Sequence, residues 1–370
     1  MLRSHYPDIR AINQANIPIT SYSTNSPLFI CIISYTDTSA IPGITAAGVN
    51  PEFVKYTPAA DTEFLYYGFC KCINNVPITP EGNPTPAIIA RSALRLADIP
   101  FLVVDAGSKI KPSIPYISFG IDSGHNIESG RAVDATDVKK AFEYGSMLGK
   151  QLGKSCDLIV LGESIPGGTT TTLGVLHALG IDAKCKVSSS LQTNPHRLKS
   201  KIIKHNLQKS RIAFGELRNN PLEAIACLGD PMMPSIAGIS EGVLSVGGKV
   251  LLAGGTQMAA VVGILKSLGL KLKEICIGTT VYVAYDHSSN LAGLINSIST
   301  DVPVFAVNLH MEKSNIRGLE AFARGFVKDG VGAGGTSIAA MLKSNGKING
   351  LILLKTIEEE YERVVQGKSH

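Results

Sequence analysis

A glutamate followed by a glycine- and threonine-rich turn is the part of this sequence best suited to chemistry. The segment GESIPGGTTTT, residues 162–172, follows the apolar run DLIVL and precedes leucines at helical spacing. Such a turn directs backbone N–H groups and hydroxyls at an anion, and the dipole of the following helix adds to the attraction. The candidate contacts are Gly167, Gly168, Thr169 and Thr170. The turn lacks lysine and matches neither a Walker P-loop nor a Rossmann fingerprint, so a plain strand-to-helix turn is the alternative.

Glu163 is the candidate for proton transfer. We expect it at the carboxyl end of a buried strand, where burial raises the pKa of a carboxyl toward values useful in general acid–base catalysis. The alternative is that Glu163 only accepts hydrogen bonds from amides of its own turn.

Two further glycine turns repeat this arrangement, LLAGGTQMAA at residues 251–260 and GVGAGGTS at residues 330–337. Their candidate ligand contacts are Gly254, Gly255, Thr256, Gln257, Gly332, Gly334 and Gly335. Glycine there costs conformational entropy, which close approach of a ligand would explain. We predict that the turns at 163–170, 254–257 and 332–336 converge on one cleft.

A basic segment, residues 184–211, contains eight lysines and arginines and no Asp or Glu. It fits a solvated helix face, a phosphate site built from residues 188–190 with one nearby lysine, or a nucleic-acid contact. The interleaved aromatic residues of a base-stacking surface are missing.

The segment LGDPMMPSIAGI, residues 228–239, is a possible contact for a flat aromatic ligand. The run AIACLGD predicts a strand that ends at Asp230, followed by two methionines that offer soft apolar contacts or fill the core. Cys70 and Cys72 form a C-x-C pair without a second pair at zinc spacing, so we expect no metal.

The elements that position these residues alternate along the chain. Apolar runs predict strands in FLVVDAG, DLIVLGE, AIACLGD, KVLLAGG, EICIGTT and VPVFAVN. Helical spacing between them, for example at 136–149, 169–179 and 257–268, predicts an α/β fold with a mainly parallel, doubly wound sheet over 101–346. Residues 1–100 contain one strand, LFICIISY, and otherwise read as a loop-rich cap. Residues 347–370 predict an amphipathic C-terminal helix with an apolar face of Leu354, Ile357, Tyr361 and Val364.

The composition indicates a folded, cytosolic protein. Hydrophobic residues make up 44% of the chain and charged residues 18%, enough for a sizeable core, and the net charge is +5. We find no apolar run of about eighteen residues and no signal-peptide core. Seven cysteines, an odd number in so long a chain, do not indicate a disulfide framework.

Taken in order, these segments resemble the nicotinate-nucleotide:dimethylbenzimidazole phosphoribosyltransferases. GESIPGGTTTT is similar to the GExGxGNTT turn of that family, and CKVSSS…HRLKSK to its glycine/serine turn followed by lysine. LGDPMMPSIAGI, LAGGTQMAAVVG and GVGAGGTSIAA are similar to its GGPDxAAxAG, GGFExAAMAG and LGEGTGAALAL segments. The match runs from about residue 157 to 341. KYTPAADTE and GNPTPA look closer still to the divergent archaeal and cyanobacterial branch.

The resemblance implies a three-layer fold, a homodimer, and transfer of phosphoribose from nicotinate mononucleotide to a base nitrogen with inversion. A small nucleotide and an aromatic base would be the partners, with no cofactor, metal, nucleic acid or membrane. Glu163 matches a site glutamate of the family, whereas Ala333 stands where the bacterial branch has its general base, which leaves Asp329 as a second candidate. The implied substrate contacts are Gly167, Gly168, Thr169, Ser188, Ser189 and Lys201, with Pro84 and Thr85 near the acceptor base.

Two other functions fit the same residues. A nucleotide-binding protein that has lost catalysis would explain Ala333, and a related transferase or phosphorylase would act on a different base.

Overall fold

The computed structural model describes residues 5–364 except Val49, Asn75 and Pro80, so residues 365–370 of the predicted C-terminal helix lie outside it. Within this part of the chain, eight strands form one sheet in the order β1-β8-β7-β6-β5-β2-β3-β4. The strands are β1 (Ile9–Ala11), β2 (Pro27–Ile33), β3 (Phe101–Asp105), β4 (Ile117–Ser118), β5 (Leu158–Ser164), β6 (Val250–Ala253), β7 (Ile275–Thr280) and β8 (Val304–Val307). Every neighbouring pair is parallel except β1 and β8. The predicted parallel α/β sheet is confirmed.

Thirteen α-helices in the described residues cover the sheet. They are α1 (Thr57–Tyr67), α2 (Ala87–Leu96), α3 (Ala135–Leu152), α4 (Gly168–Ala178), α5 (His196–Ser210), α6 (Pro221–Leu228), α7 (Met232–Ser245), α8 (Gln257–Ser267), α9 (Val281–Ala284), α10 (Leu291–Ile298), α11 (Arg317–Ala323), α12 (Ala333–Lys343) and α13 (Gly350–Val364). The helices predicted at 136–149, 169–179 and 257–268 correspond to α3, α4 and α8.

Alternation along the strands separates two apolar cores. In β2, Leu28 and Ile30 point into the core that contains α4, α7 and α8, whereas Phe29 and Cys31 point into the core that contains α2, α12 and α13. Successive side chains of a strand face opposite sides of a sheet, so a strand buried on both faces is apolar throughout. The result is the three-layer arrangement of helices, sheet and helices.

The strand predicted for AIACLGD is wrong. These residues belong to helix α6 and the loop after it, and Asp230 lies between α6 and α7 rather than at a strand end. A short apolar run that is buried all round has no periodicity to separate strand from helix. Pro221 at the first helical position is the local signal for the helix.

Two parts of the N-terminal region differ from a simple cap. The strand predicted in LFICIISY is β2, which lies inside the sheet between β5 and β3. The segment KYTPAADTEFLYYG, predicted to be loop-rich, contains helix α1, whose first turn accommodates Pro58. Helix α2 begins only at Ala87, after Pro77, Pro84 and Pro86, since proline does not fit the interior of a regular helix.

Helix α13 docks on the chain's own core. Leu354 and Ile357 are buried, and Glu360 accepts a hydrogen bond from Arg91 Nε of α2 at 2.6 Å. None of the helices in the described part of the chain could span a membrane.

Candidate active site

A cleft of about 380 Å³ opens at the carboxyl ends of the parallel strands. Its walls come from the N-terminal region, from residues 163–169 at the end of β5 and in the turn after it, from residues 188–190, from residues 255–257 after β6, and from residues 327–331 before α12. This edge is where ligands bind in doubly wound sheets.

The turn after β5 brings the start of α4 to the cleft. Gly167 has φ +77°, a left-handed conformation that favours glycine, and α4 begins at the next residue. Gly167, Gly168 and Thr169 all line the cleft. The first N–H groups of an α-helix have no partner within the helix, so this end of α4 suits an anion.

Glu163 lies at the end of β5 with one oxygen uncommitted. It is 6% exposed, and its Oε2 accepts a hydrogen bond from Ile165 N at 2.9 Å. The described residues form no hydrogen bond to its Oε1. Burial raises the pKa of Glu163 well above its usual range, and the nearby carboxyls of Asp230, Asp329 and Asp61 add to the shift against the Ile165 hydrogen bond.

Asp61 is a second cleft carboxyl, which no sequence pattern predicted. It belongs to α1, is 3% exposed, and accepts hydrogen bonds at 2.7 Å from Thr85 Oγ1 and from Ser164 Oγ. Burial raises the pKa of Asp61 to about 6, although both hydroxyls favour the anion.

Asp329 lines the same cleft but has its oxygens occupied. Oδ1 accepts from the amides of Gly330 at 2.8 Å and Gly334 at 3.2 Å. Oδ2 accepts from Thr279 Oγ1 at 2.9 Å and Thr280 N at 3.1 Å. Burial raises the pKa of Asp329 against these four hydrogen bonds. They tie the turn before α12 to the end of β7.

Lys199 supplies positive charge beside the start of α4. Its side chain is fully buried, and Nζ donates to Thr169 Oγ1 at 2.7 Å and to the carbonyl oxygen of Ser188 at 2.6 Å. Burial lowers the pKa of Lys199 to about 7, and the nearby Lys328 lowers it further while Asp286 opposes the shift. The predicted lysine, Lys201, is exposed and does not line the cleft. The two lysines differ because residues two apart lie on different faces of a helix.

Residues 327–331, which line the cleft, contain strained backbone. Val327, Lys328 and Val331 have φ of 60°, 43° and 52°, a left-handed conformation that is rare for β-branched residues. Lys328 Nζ donates to Asp286 Oδ2 at 2.6 Å, and both side chains are buried. Hydrogen bonds from Lys328 and Ser288 hold the pKa of Asp286 well below its usual range, although burial alone would raise it. Such strain persists only where surrounding contacts impose it, and it is frequent at functional sites.

The first two predicted turns meet at the cleft, whereas none of residues 332–336 lines it. Gly330 and Val331, just before them, do line it. Predicted residues that line the cleft are Glu163, Gly167, Gly168, Thr169, Ser188, Ser189, Gly255, Thr256, Gln257, Asp329 and Thr85. Predicted residues that do not line it are Thr170, Lys201, Asp230, Gly254, Gly332, Gly334, Gly335 and Pro84.

Three of these displaced residues have a packing role. A Cβ on Gly334 would lie 2.3 Å from Thr279 C, and one on Gly335 would lie 2.3 Å from Ala253 Cβ, so these glycines let α12 approach β7 and β6. Asp230 is fully buried and accepts a hydrogen bond from Thr171 Oγ1 at 2.5 Å, which fixes α4 to the loop before α7. Ala333 is also fully buried and does not line the cleft.

Gln257 carries an uncommitted acceptor. It lines the cleft, and its Oε1 is buried with no hydrogen-bond partner among the described residues. A buried acceptor without a donor is costly, so a ligand that brings a donor would be favoured here.

Comparison with known proteins identifies relatives over most of the chain. A family model described as phosphoribosyltransferase matches residues 87–293. A UPF0284 protein of Sulfurisphaera tokodaii is 45% identical over 338 residues, which cover 91% of this chain and 93% of the relative. One from Methanopyrus kandleri is 38% identical over 366 residues, 98% of this chain and 95% of the relative.

A solved structure shares the fold. The crystal structure of nicotinate-nucleotide-dimethylbenzimidazole phosphoribosyltransferase from Thermus thermophilus superimposes with a TM-score of 0.57 and 15% identity, over 94% of this chain and 87% of that chain.

Proposed function

Since this chain belongs to the phosphoribosyltransferase family, we propose that it transfers phosphoribose from nicotinate mononucleotide to a ring nitrogen of an aromatic base. The Thermus thermophilus enzyme that shares its fold is named for a nicotinate nucleotide and dimethylbenzimidazole, so the corresponding role here would be activation of the lower ligand of a cobamide. That the acceptor is an aromatic base is also proposed.

One observation carries the proposal: the buried cation Lys199 lies directly behind one wall of the cleft, bonded to Thr169, and an uncommitted carboxyl oxygen of Glu163 lies at another wall. Lys199 forms no ion pair with a carboxylate of the described residues, since both of its hydrogen bonds go to neutral oxygens. A buried ammonium is costly without a counter-charge. A phosphate bound at the start of α4 would provide that charge and accept hydrogen bonds from Gly168 and Thr169.

The ribose would occupy the region of the cleft between the phosphate at the start of α4 and the carboxyl group of Glu163. Gln257 Oε1 lacks a donor, and the hydroxyls of a ribose are donors of the right kind. Thr256 lies beside it on the cleft, although its hydroxyl already accepts a hydrogen bond from Ser188 N at 2.9 Å.

The chemistry would need one proton acceptor. As the ring nitrogen of the incoming base forms a bond to the anomeric carbon, nicotinate leaves with the electron pair of the broken bond and its ring nitrogen becomes neutral. The incoming base must then lose its N–H proton, which we assign to Glu163 Oε1. We assign Asp329 to holding the turn before α12, since its four hydrogen bonds leave little capacity for another role. The family resemblance implies inversion and an α-riboside phosphate product.

Release of nicotinate from nicotinate mononucleotide, measured with and without candidate bases, tests the proposal. Release that requires a base and yields a riboside phosphate is the expected result. Binding of the nucleotide without release under any base would replace the transferase by a nucleotide-binding protein. Turnover of a nucleoside without nicotinate would indicate a related transferase or phosphorylase.

We also propose a homodimer, which the same resemblance implies. Light scattering on the full chain should give twice the monomer mass of 39.1 kDa. A monomeric mass across the micromolar range would contradict it.

A further inference from the structure

The buried carboxylates of the described residues differ in the number of hydrogen bonds that they accept. Glu63 accepts from three backbone amides, and Glu360 accepts from three arginine side chains. At the cleft, Asp61 accepts only two and Glu163 only one among the described residues. Asp61 and Glu163, which both line the cleft, therefore keep capacity that Glu63 and Glu360 have used.

Asp61 lies in a largely apolar wall of the cleft. The N-terminal region lines the cleft largely with apolar or uncharged side chains, such as Tyr56, Ala60, Ile78 and Pro86. Asp61 is the charged side chain that the described part of this region contributes to the lining. Burying a carboxylate in such surroundings is costly unless more donors reach it.

The two hydroxyls that hold Asp61 fix its orientation. Thr85 Oγ1 accepts from Ala87 N at 3.2 Å, so its own hydrogen is directed to Asp61 Oδ1. Ser164 Oγ holds Oδ2. A carboxylate oxygen can accept two hydrogen bonds, so each oxygen of Asp61 retains one site for a ligand in the cleft.

Asp61 and Glu163 approach the end of β5 from opposite sides of the sheet. Glu163 and Ser164 are consecutive on β5, so their side chains point to opposite faces, and Ser164 is the one that holds Asp61. A flat base bound at this strand end would meet Glu163 at one edge and Asp61 at another.

On the basis of the proposed function, we propose that Asp61 is a specificity-determining residue. Its carboxylate accepts a hydrogen bond from an amino or hydroxyl group of the aromatic base. That group lies on the edge of the ring remote from the nitrogen that Glu163 deprotonates. The acceptor would then be an aromatic base with a polar donor on that edge, and a base with only methyl groups there would be disfavoured. A hydrogen-bonding site rejects an analogue that lacks the matching group, because its own buried polar group is left unpaired.

Two bases that differ in a single group test this inference. The dissociation constants of 5-aminobenzimidazole and 5-methylbenzimidazole are measured by calorimetry with the full chain, without nucleotide. The unchanged protein should bind the amino base at least about tenfold more tightly, as a hydrogen bond to a charged group implies. Asp61→Asn should reduce that preference to less than about threefold. Asp230→Asn is the matched control, because it removes another buried carboxyl that does not line the cleft, and it should leave the preference unchanged.

Three results would overturn the inference: equal binding of the two bases, binding of neither, or a preference that survives Asp61→Asn. If Asp61→Asn does not fold, Asp61→Ser carries the same measurement. Since binding is measured without nicotinate mononucleotide, a protein that shows the preference but never releases nicotinate would contradict the proposed reaction and leave this inference standing.

Discussion

The amino group of Lys199 lies 2.7 Å from the hydroxyl of Thr169, which joins α5 to the first turn of α4. The same amino group reaches the carbonyl oxygen of Ser188 at 2.6 Å, so one buried cation connects two walls of the cleft.

Lys199→Met should weaken binding of nicotinate mononucleotide by about tenfold or more, because a charge-assisted hydrogen bond to phosphate is lost. Lys201→Met is the matched control, since Lys201 belongs to the same helix but is exposed. Calorimetric titration of each variant measures the effect. Equal losses in both variants would show that general charge, rather than the buried position, binds the nucleotide.

Nucleotide affinity should fall as pH rises above 7. The pKa of Lys199 is lowered to about 7 by burial, so the ammonium that attracts phosphate is populated below that pH and is lost above it. A phosphate monoester is already doubly charged there, so its own ionisation does not offset the loss. Dissociation constants between about pH 6.5 and 9 should rise in the unchanged protein and stay flat in Lys199→Met. A parallel rise in both would exclude Lys199 as the titrating group.

Glu163→Gln should lower kcat by at least about a hundredfold with little loss of fold, in line with the usual contribution of a general base. Since burial raises the pKa of Glu163, the carboxylate is lost as pH falls, and kcat of the unchanged protein should rise with pH. Asp329→Asn is the comparison and should reduce kcat less, because Asp329 is occupied by the turn. Near-normal turnover by Glu163→Gln would remove Glu163 as the proton acceptor.

Asp61→Asn should be more stable than the unchanged protein at pH 7. The pKa of Asp61 is raised by burial to about 6, above its value in an unfolded chain, so the folded protein loses stability as pH rises through 6. The loss of unfolding free energy is at most about 3 kcal/mol. It is absent in Asp61→Asn, because the side-chain amide does not ionise and its NH2 group can donate to Ser164 Oγ. Urea unfolding at about pH 4 and pH 7 measures it. A constant difference between the two proteins at both pH values would contradict the linkage.

The sequence predicted most of the sheet because its strands are short, apolar on both faces and separated by glycine turns. It also located Glu163, since a polar residue at the carboxyl end of a buried strand falls at the ligand-binding edge. It failed at α6, where the apolar run is buried as a helix.

Of the two site residues that were missed, only one had a local signal. Lys199 shares a helical spacing with Ile202, Ile203 and Asn206, which are buried with it, so periodicity could have separated it from Lys201. Asp61 had no such signal. It reaches the cleft through contacts with Thr85 and Ser164, which lie 24 and 103 residues away, and no local pattern encodes them.

The two ends of the sheet restrict how copies of this chain can associate. One edge strand, β1, has three residues and the other, β4, has two. Edges this short offer few free backbone groups to a neighbouring strand, so growth of a continuous intermolecular sheet is disfavoured, as it is in proteins that resist edge-to-edge aggregation. Copies that pair would therefore meet through helix faces or loops, and the carboxyl-end cleft would stay clear of any strand exchange.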